Sequence, residues 1–208
     1  MSESGRVEVE FGDDGLIPCI SQNADTGEVL TLAYMNEESL GLTESTGELH
    51  FFSRSRQEIW KKGETSGNVQ KVRQLRIDCD GDAMLALVEP AGPACHTGER
   101  TCFYRELDTG ETPEPVNEEA LPELERTLSA RAAERPEGSW TVKLLDDPEL
   151  VAEKVLEEAE EVTRAVREET DERVANEAAD VLYHMTVLLK SRGIGLDKVM
   201  EVLNERRT

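Results

Sequence analysis

Residues 108–123, DTGETPEPVNEEALPE, divide the chain into two halves of different character. Pro113, Pro115 and Pro122 stand among acidic residues there, a composition typical of an exposed linker. Before this stretch the apolar runs are short, and after it apolar residues recur at the spacing of a helix. The stretch therefore predicts two domains, residues 1–107 and 121–208, joined by an acidic linker at 108–120.

The first half has the pattern of a small α+β domain. Six short runs, β-branched or aromatic and separated by turn residues, predict strands: GLIPCISQ (15–22), VLTLAYM (29–35), LHFFSRS (49–55), VRQLRIDC (72–79), AMLALVEP (83–90) and TCFYREL (101–107). Residues 36–47 leave room for one helix, with Asn36 as its N-cap and Gly47 past its end.

The second half has the pattern of an all-α bundle. A first helix is predicted at 121–135, where Leu121, Leu124 and Leu128 follow helical spacing. A second is predicted at 148–169 with the stripe Val151, Val155, Ala159, Val162 and Val166. A third is predicted at 171–190 with the face Ala178, Val181, Leu182, Met185, Leu188 and Leu189, and a short fourth at 196–207. Helices this short bury their stripes against one another, within the chain or against a second subunit.

The charge of the chain excludes one class of function. The 208 residues include 45 acidic and 23 basic side chains, for a formal net charge of −22. A protein that binds the phosphates of a nucleic acid needs a basic face, and no Lys/Arg-rich stretch supplies one. Nucleic-acid binding is therefore excluded, and the acidic, lysine-poor composition favours a salt-loving source as a hypothesis.

No membrane or secretory segment is expected. No stretch approaches the ~18 consecutive apolar residues of a membrane span, and the first fifteen residues lack the basic and apolar regions of a signal peptide. We expect a cytoplasmic protein, in which thiols stay reduced. The four cysteines are therefore expected to be metal ligands or buried thiols in preference to disulfides, and Cys19 is expected to be a buried thiol.

Two motifs of the first half have the chemistry of metal sites. Asp78, Asp80 and Asp82 alternate, so in an extended segment their carboxylates share one face and suit Mg²⁺; a solvated acidic turn is the alternative. Downstream, GPACHTGERTC (92–102) contributes two thiols and an imidazole. With Cys79 they offer soft ligands for a catalytic Zn²⁺ with an open position, although scattered buried cysteines would look the same.

These residues resemble phosphoribosyl-AMP cyclohydrolase of histidine biosynthesis. The likeness covers about residues 16–107 and rests on four segments in order: GLIPCISQNADTGEVLTLAYMN, HFFSRSRQEIWKKGETSGNVQ, DCDGDA and GPACHTGERTC. It implies a dimer whose zinc is held by Cys79, Cys95 and Cys102, the first from the partner subunit, and Mg²⁺ at Asp78, Asp80 and Asp82. It further implies that a zinc-activated water attacks C6 of the N1-substituted adenine and opens the N1–C6 bond.

The same resemblance suggests roles for further residues. His96 matches a family histidine beside the zinc and is the candidate for proton transfer, with a structural hydrogen-bonding role as its alternative. Contacts to phosphate or ribose are expected from two cationic residues and from the small-residue turn at 63–67 of the second segment: Arg54, Lys61, Gly63, Thr65 and Ser66. Many members have His where this chain has Asn68, which leaves the role of that side chain open.

Acidic residues of the second half follow helical spacing as well. Glu157, Glu158 and Glu161 share a stripe with Lys154 beside the valine stripe, and Glu177 and Asp180 share a face of the next helix. A charged group beside a core face is costly unless a cation compensates it. Pairing the two helices would gather these five carboxylates into a Mg²⁺ site; two solvated helix faces are the alternative.

WTVKLL, KVLEEAEEV and NEAADVLYHMTVLL resemble phosphoribosyl-ATP pyrophosphohydrolase, an all-α nucleotide pyrophosphohydrolase with an EExxE motif followed by ExxD. The likeness covers about residues 121–207 and implies Mg²⁺ on Glu157, Glu158, Glu161, Glu177 and Asp180. It implies attack of water between the α- and β-phosphates, with Glu158 and Glu161 as catalytic carboxylates. Lys143 and Lys154 are candidate phosphate contacts. Members commonly have Gly where this chain has Leu156, and a branched side chain there could narrow the approach to the site.

Together the two resemblances predict a bifunctional hydrolase, α+β followed by all-α. Its second half would convert phosphoribosyl-ATP to phosphoribosyl-AMP and pyrophosphate, and its first half would open the adenine ring of that product. Two other functions stay open at this point. One is a housecleaning nucleotide pyrophosphohydrolase with a structural zinc domain, and the other is a non-catalytic metal-binding or regulatory protein.

Overall fold

The computed structural model describes residues 7–113 and 116–207. The chain forms two compact units, Met1–Pro115 and Val116–Thr208. Of the predicted linker, Glu114 and Pro115 lie outside the described residues, as do the first six residues of the segment considered for a signal peptide. In the described ranges, no helix is long and apolar enough to cross a lipid bilayer.

The first unit is built on one six-stranded sheet. Its strands are β1 (Ile17–Asn23), β2 (Val29–Met35), β3 (His50–Ser53), β4 (Glu58–Lys61), β5 (Gln70–Ile77) and β6 (Met84–Pro90), in the spatial order β4-β3-β2-β1-β6-β5. β1 pairs in parallel with β6, and the other neighbours are antiparallel. The core lies on one face, where Ile17, Cys19, Phe51, Ala86 and Val88 are fully buried.

Helix α1 (Glu37–Thr46) closes this core and begins and ends as its sequence predicts. The Asn36 side chain accepts a hydrogen bond from the Ser39 amide at 2.9 Å, and the Ser39 hydroxyl accepts one from the Asn36 amide at 2.9 Å. This capping box satisfies amides that would otherwise lack partners at the helix start. Gly47 ends the helix with φ +69°, a conformation that glycine adopts without steric cost.

The prediction of a strand at TCFYREL was wrong. The Cys102 amide donates to the Leu30 carbonyl at 2.8 Å, and the Thr101 hydroxyl donates to the Val29 carbonyl at 2.6 Å, but no ladder follows. Phe103 is 54% exposed and Leu107 97% exposed. The apolar residues of this segment therefore do not enter the sheet, because a strand needs both continuous pairing and a buried face.

The second unit is helical, as predicted. After a single 3₁₀ turn at Asn117–Glu119 come α2 (Ala120–Glu134), α3 (Trp140–Asp146), α4 (Pro148–Glu168), α5 (Asp171–Ser191) and α6 (Leu196–Glu205). The two longest helices, α4 and α5, are capped by Asp147 and Thr170, whose side-chain oxygens accept from the Leu150 and Arg173 amides. Leu128, Leu144, Val151 and Val187 form the buried core.

Two elements have no counterpart in the sequence-based prediction: strand β4 and helix α3. β4 has four residues and pairs with β3 through a tight turn at residues 54–57. α3 has seven residues, of which Leu144 is fully buried and Ser139 caps the start at 3.4 Å from the Val142 amide. Both elements are too short to show a hydrophobic period, so pairing and packing define them.

The predicted apolar stripes of α4 and α5 are only partly covered. Val151 is fully buried, but Val166 is 66% exposed, and on α5 Leu182 and Met185 are 50% and 38% exposed. The α5 residues that enter the core are Val187 with partly buried Tyr183 and Leu188. The helices of one chain therefore do not cover the whole predicted face of α5, and completion of the bundle by a second subunit stays a prediction.

Candidate active sites

The three aspartates of DCDGDA form a carboxylate cluster in the turn between β5 and β6. Asp78, Asp80 and Asp82 are exposed, and each offers an oxygen within 4.8 Å of the others. The Asp78 Oδ1 atom accepts hydrogen bonds from the amides of Gly81, Asp82 and Ala83 at 3.0–3.1 Å. Those three hydrogen bonds hold the turn closed, and none of them uses the second carboxylate oxygen of Asp78.

The electrostatics of this cluster suit a cation. The backbone amide of Ala83, with those of Gly81 and Asp82, holds the pKa of Asp78 below its usual range. The negative charges of Asp80 and Asp78 raise the pKa of Asp82 above its usual range. Three carboxylates that repel one another within a fixed turn would be stabilised by a hard divalent ion with oxygen ligands.

Two of the three candidate zinc ligands lie on one loop after β6. Cys95 is buried and Cys102 exposed, and the Thr97 hydroxyl donates to the Cys95 sulfur at 3.0 Å. This hydroxyl bond, with the Thr97 amide and smaller contributions from Cys102 and His96, lowers the pKa of the Cys95 thiol. His96 is exposed, with Nδ1 3.9 Å from the Cys95 sulfur. A thiol so prepared favours the thiolate form that metals bind.

Lys62 is the cation beside these thiols. Its ammonium donates to the Ala94 carbonyl at 2.5 Å and lies 5.6 Å from the centre of the Trp60 ring. Burial lowers the pKa of Lys62, while the negative charges of Cys102 and Cys95 act in the opposite direction. Lys62 thus ties the loop before Cys95 to the end of β4 and brings positive charge near two thiolates.

Cys79 is not part of this group. It lies in the turn before β6, whereas Cys95 follows the other end of that strand. Seven residues of strand separate the two ends by roughly 20 Å at ~3.3 Å per residue. Among the residues that the structure describes, the three cysteines do not form a set with sulfur atoms within 4.8 Å of one another. One chain therefore brings together two of the three predicted zinc ligands, Cys95 and Cys102.

The predicted phosphate or ribose contacts lie in the turn between β3 and β4, at the end of β4 and in the turn between β4 and β5. The Arg54 guanidinium stacks on the Tyr34 ring at 3.8 Å, and the Lys61 ammonium pairs with Glu48 at 2.9 Å. Thr65 and Ser66 are exposed. Gly63 has φ +84°, and a Cβ there would lie well within 3.0 Å of the backbone at residues 68 and 69. Gly63 is thus required for the shape of the turn.

Asn68 links this turn to the cysteine loop. Its side-chain amide donates to the Pro93 carbonyl at 3.0 Å, and its backbone amide donates to the Ser66 hydroxyl at 3.2 Å. A Cβ at Gly92 would lie within 3.0 Å of the Asn68 side-chain oxygen. The side chain whose role the sequence left open therefore packs against the backbone two to three residues before Cys95.

A second carboxylate cluster lies between α4 and α5. Glu158, Glu161 and Glu177 each offer an oxygen within 4.8 Å of the others. Their side chains are 13%, 29% and 3% exposed. The His184 ring is nearby, with Nδ1 3.8 Å from Glu158 and 2.9 Å from the Asp180 carbonyl, to which it donates. The pairing of two helices thus assembles three of the five predicted carboxylates.

Glu177 is the least hydrated of these carboxylates. Burial raises its pKa, the positive charge of Arg173 opposes this, and Glu161 and Glu158 raise the pKa further. Its Oε1 atom is in an ion pair with the Arg173 guanidinium, although the contact does not have the geometry of a hydrogen bond. A buried carboxylate beside two others also fits a divalent cation.

The other predicted residues of this unit lie outside the three-carboxylate cluster. Glu157 pairs with Lys154 at 2.5 Å, and this hydrogen bond raises the pKa of Lys154. Asp180 is exposed, and Leu156 is 67% exposed. The Lys143 ammonium lies 5.0 Å from the centre of the Trp140 ring, in a groove formed by α3 and the turns on either side of it.

Sequence reasoning missed three residues of these sites. Lys62 was not distinguished from Lys61, because neighbours in a strand point to opposite faces and the sequence does not say which face meets the cysteines. Thr97 gave no signal beyond its place in the loop. Arg173 could have been found, since it lies four residues before Glu177, the spacing at which helical ion pairs form.

Comparison with known proteins matches both units to enzymes. Residues 31–104 match the family model of phosphoribosyl-AMP cyclohydrolase, and residues 121–207 match that of phosphoribosyl-ATP pyrophosphohydrolase. The chain is 49% identical over 202 residues to the histidine biosynthesis bifunctional protein HisIE of Bacillus subtilis, covering 97% of this chain and 96% of that protein. It is 47% identical to HisIE of Pyrococcus furiosus and 44% identical to HisIE of Aquifex aeolicus, with at least 93% of each chain covered in both comparisons.

Proposed function

Since the chain belongs to the family of bifunctional histidine biosynthesis proteins, with cyclohydrolase and pyrophosphohydrolase activities, we propose how its residues divide the two reactions. The α-helical unit hydrolyses phosphoribosyl-ATP to phosphoribosyl-AMP and pyrophosphate. The sheet unit opens the adenine ring of phosphoribosyl-AMP. The observation that carries this division is that each unit has its own carboxylate cluster, one in the turn before β6 and the other between α4 and α5.

In the pyrophosphohydrolase unit, Glu158, Glu161 and Glu177 would hold Mg²⁺, with Glu157 and Asp180 at the rim. When bound, Mg²⁺ polarises the phosphoryl oxygens and steadies the leaving pyrophosphate. Glu158 and Glu161 of the EExxE motif would accept a proton from the attacking water, the role that the family resemblance implies for them. Lys154 and Lys143 offer ammonium groups to the phosphates.

In the cyclohydrolase unit, Cys95 and Cys102 would hold Zn²⁺ together with Cys79 of the partner subunit. When bound, Zn²⁺ lowers the pKa of a water ligand toward ~7 and so provides hydroxide at neutral pH. His96 is exposed beside Cys95 and would move a proton to the departing N1 as the N1–C6 bond opens. Arg54, Lys61 and the turn Gly63, Thr65 and Ser66 would orient the phosphate and ribose, and Asp78, Asp80 and Asp82 would hold Mg²⁺.

The separation of the thiols supports a homodimer. Cys79 and Cys95 lie beyond opposite ends of β6, so a second copy would supply the third ligand. The exposed apolar side chains Leu182 and Met185 of α5 and Val166 of α4 offer a surface that another copy of the helical unit would cover. This dimer and its shared zinc site are part of the proposal.

Two variants test the division of labour. Glu158→Gln should abolish release of pyrophosphate from phosphoribosyl-ATP and leave turnover of supplied phosphoribosyl-AMP unchanged. Cys102→Ala should release pyrophosphate at the normal rate and let phosphoribosyl-AMP accumulate. A folded variant in which either change stops both reactions would contradict the assignment.

Mixing two inactive variants tests the shared zinc site. Cys79→Ala and Cys95→Ala chains each lack a ligand, but a mixed dimer contains one complete site. Random exchange makes half of the dimers mixed, so about a quarter of the wild-type cyclohydrolase activity should return. If each chain held its own zinc, the mixture would be no more active than its components.

A further inference from the structure

Arg173 lies in the first turn of α5 and reaches into the carboxylate cluster. Its guanidinium pairs with Glu177 and lies 3.6 Å from Glu161 and 3.5 Å from Glu169. The Arg173 side chain is 48% exposed, whereas that of Glu177 is 3% exposed. An arginine with solvent on one side therefore compensates a carboxylate that is almost fully buried.

The metal and Arg173 have the same role toward Glu177. A carboxylate buried beside two others needs a cation, and Arg173 supplies one in the protein as described. Mg²⁺ bound to Glu158, Glu161 and Glu177 would supply the compensation with twice the charge. Two cations held by the same carboxylates repel each other. Metal binding must therefore weaken the hold of Glu177 on Arg173.

A released Arg173 remains beside the reacting phosphates. It precedes Glu177 by one helical turn on the same face, so its reach is limited to the neighbourhood of the cluster. A planar guanidinium binds two phosphate oxygens at once, which an ammonium does not. The triphosphate of the substrate is the anion that would replace Glu177 as its partner.

Resting on the proposed function of this site, we propose that Arg173 is an exchangeable cation. It neutralises Glu177 in the metal-free protein, and it transfers to the substrate triphosphate once Mg²⁺ occupies the carboxylates. Metal loading and substrate recognition are thereby coupled through one side chain. Arg164, which pairs with Glu161 and Glu169 but is not seen to pair with Glu177, has the weaker claim to this role.

The first arm of the test measures Mg²⁺ binding without substrate. Full-length protein freed of metal is titrated with MgCl₂ by calorimetry, and the component lost in Glu177→Gln is assigned to this site. Arg173→Gln should bind Mg²⁺ about tenfold more tightly, because a competing positive charge is removed. Arg173→Lys, which keeps the charge, should stay within about twofold of wild type. Arg131→Gln on α2 makes the same change in net charge and should have no effect.

The second arm measures pyrophosphate release at saturating Mg²⁺. Arg173→Gln should raise KM for phosphoribosyl-ATP about tenfold with kcat within about twofold, as expected for a lost binding contact. Unchanged or weaker Mg²⁺ binding in Arg173→Gln would overturn the exchange, since an arginine that merely braces the cluster would loosen it when removed. Tighter Mg²⁺ binding with an unchanged KM would overturn the transfer to phosphate. If Glu177→Gln and wild type bind Mg²⁺ alike, the metal assignment itself fails, and the exchange fails with it.

Discussion

Replacing Gly63 by alanine, and comparing the result with the same change at Gly67, should separate the cost of a backbone clash from the cost of a left-handed φ. Gly63 has φ +84°, and a Cβ there would lie well within 3.0 Å of the backbone of Asn68 and Val69. Gly67, in the same turn, has φ +78° but open space around it. The pair offers a matched comparison, because both residues adopt the left-handed conformation and only one has a close backbone neighbour.

The magnitudes follow from these two environments. A left-handed φ costs a residue with a Cβ about 1–2 kcal/mol, which is the whole effect expected of Gly67→Ala. Gly63→Ala adds the displacement of a backbone segment that has no flexible end to move aside. Crowding of this kind costs a further ~1–3 kcal/mol. We therefore expect Gly63→Ala to lower the free energy of unfolding of the first unit by about 2–5 kcal/mol.

Trp60 provides the assay, since it packs against the core of the first unit. In a Trp140→Phe background, its fluorescence during urea unfolding reports on that unit alone. The urea midpoint should fall much further in Gly63→Ala than in Gly67→Ala, and release of pyrophosphate by the helical unit should not change. Equal shifts in the two variants would contradict the claim that the backbone contact makes alanine more destabilising at Gly63 than at Gly67.

Three further predictions concern charge. Lys62→Met should weaken Zn²⁺ binding and cyclohydrolase turnover about tenfold, because it removes the ammonium that donates to the Ala94 carbonyl and so positions the loop at Cys95; Lys71→Met on β5 is the control, and equal effects would contradict a specific role. Asp78, whose pKa is lowered, stabilises the fold above the ordinary range of aspartate, and that stability is lost as pH falls through its folded pKa. In EDTA at pH 7, Asp78→Asn should therefore melt at a lower temperature than wild type, and this difference should shrink below pH ~4. A difference that does not change with pH would contradict stabilisation of the Asp78 carboxylate by the amides of Gly81, Asp82 and Ala83. The net charge of −22 should make the protein more stable in molar KCl than in low salt, and the opposite order would argue against a salt-adapted surface.

Patterns of local origin were readable from the sequence. The capping box at Asn36 and the Gly47 terminus bounded α1 because both depend on neighbouring residues. The helical periods of α2, α4 and α5 were long enough to be recognised. The same periodicity placed Glu158, Glu161 and Glu177 where two helices could bring them together, and the structure brings these three within 4.8 Å.

Features that depend on distant partners were not readable. TCFYREL has the composition of a strand, but only its first residues find a neighbour, at Val29 and Leu30. Leu182 and Met185 follow the helical period of α5, yet the period cannot say whether their partner lies in the same chain. Lys61 and Lys62 cannot be distinguished by residue type. They differ in their contacts, since Lys61 pairs with Glu48 and Lys62 donates to the Ala94 carbonyl.

The buried position of Cys19 makes the remaining thiols easy to observe. Burial raises the pKa of the Cys19 thiol to about 12, and the side chain is fully buried in the core of the first unit. An alkylating reagent applied to the native protein at neutral pH would therefore leave Cys19 unmodified. The labelling stoichiometry then counts the exposed thiols of Cys79 and Cys102 without mutation. A metal that covers them would be visible as the loss of label, and the buried thiols of Cys19 and Cys95, released by denaturant, would serve as the internal standard.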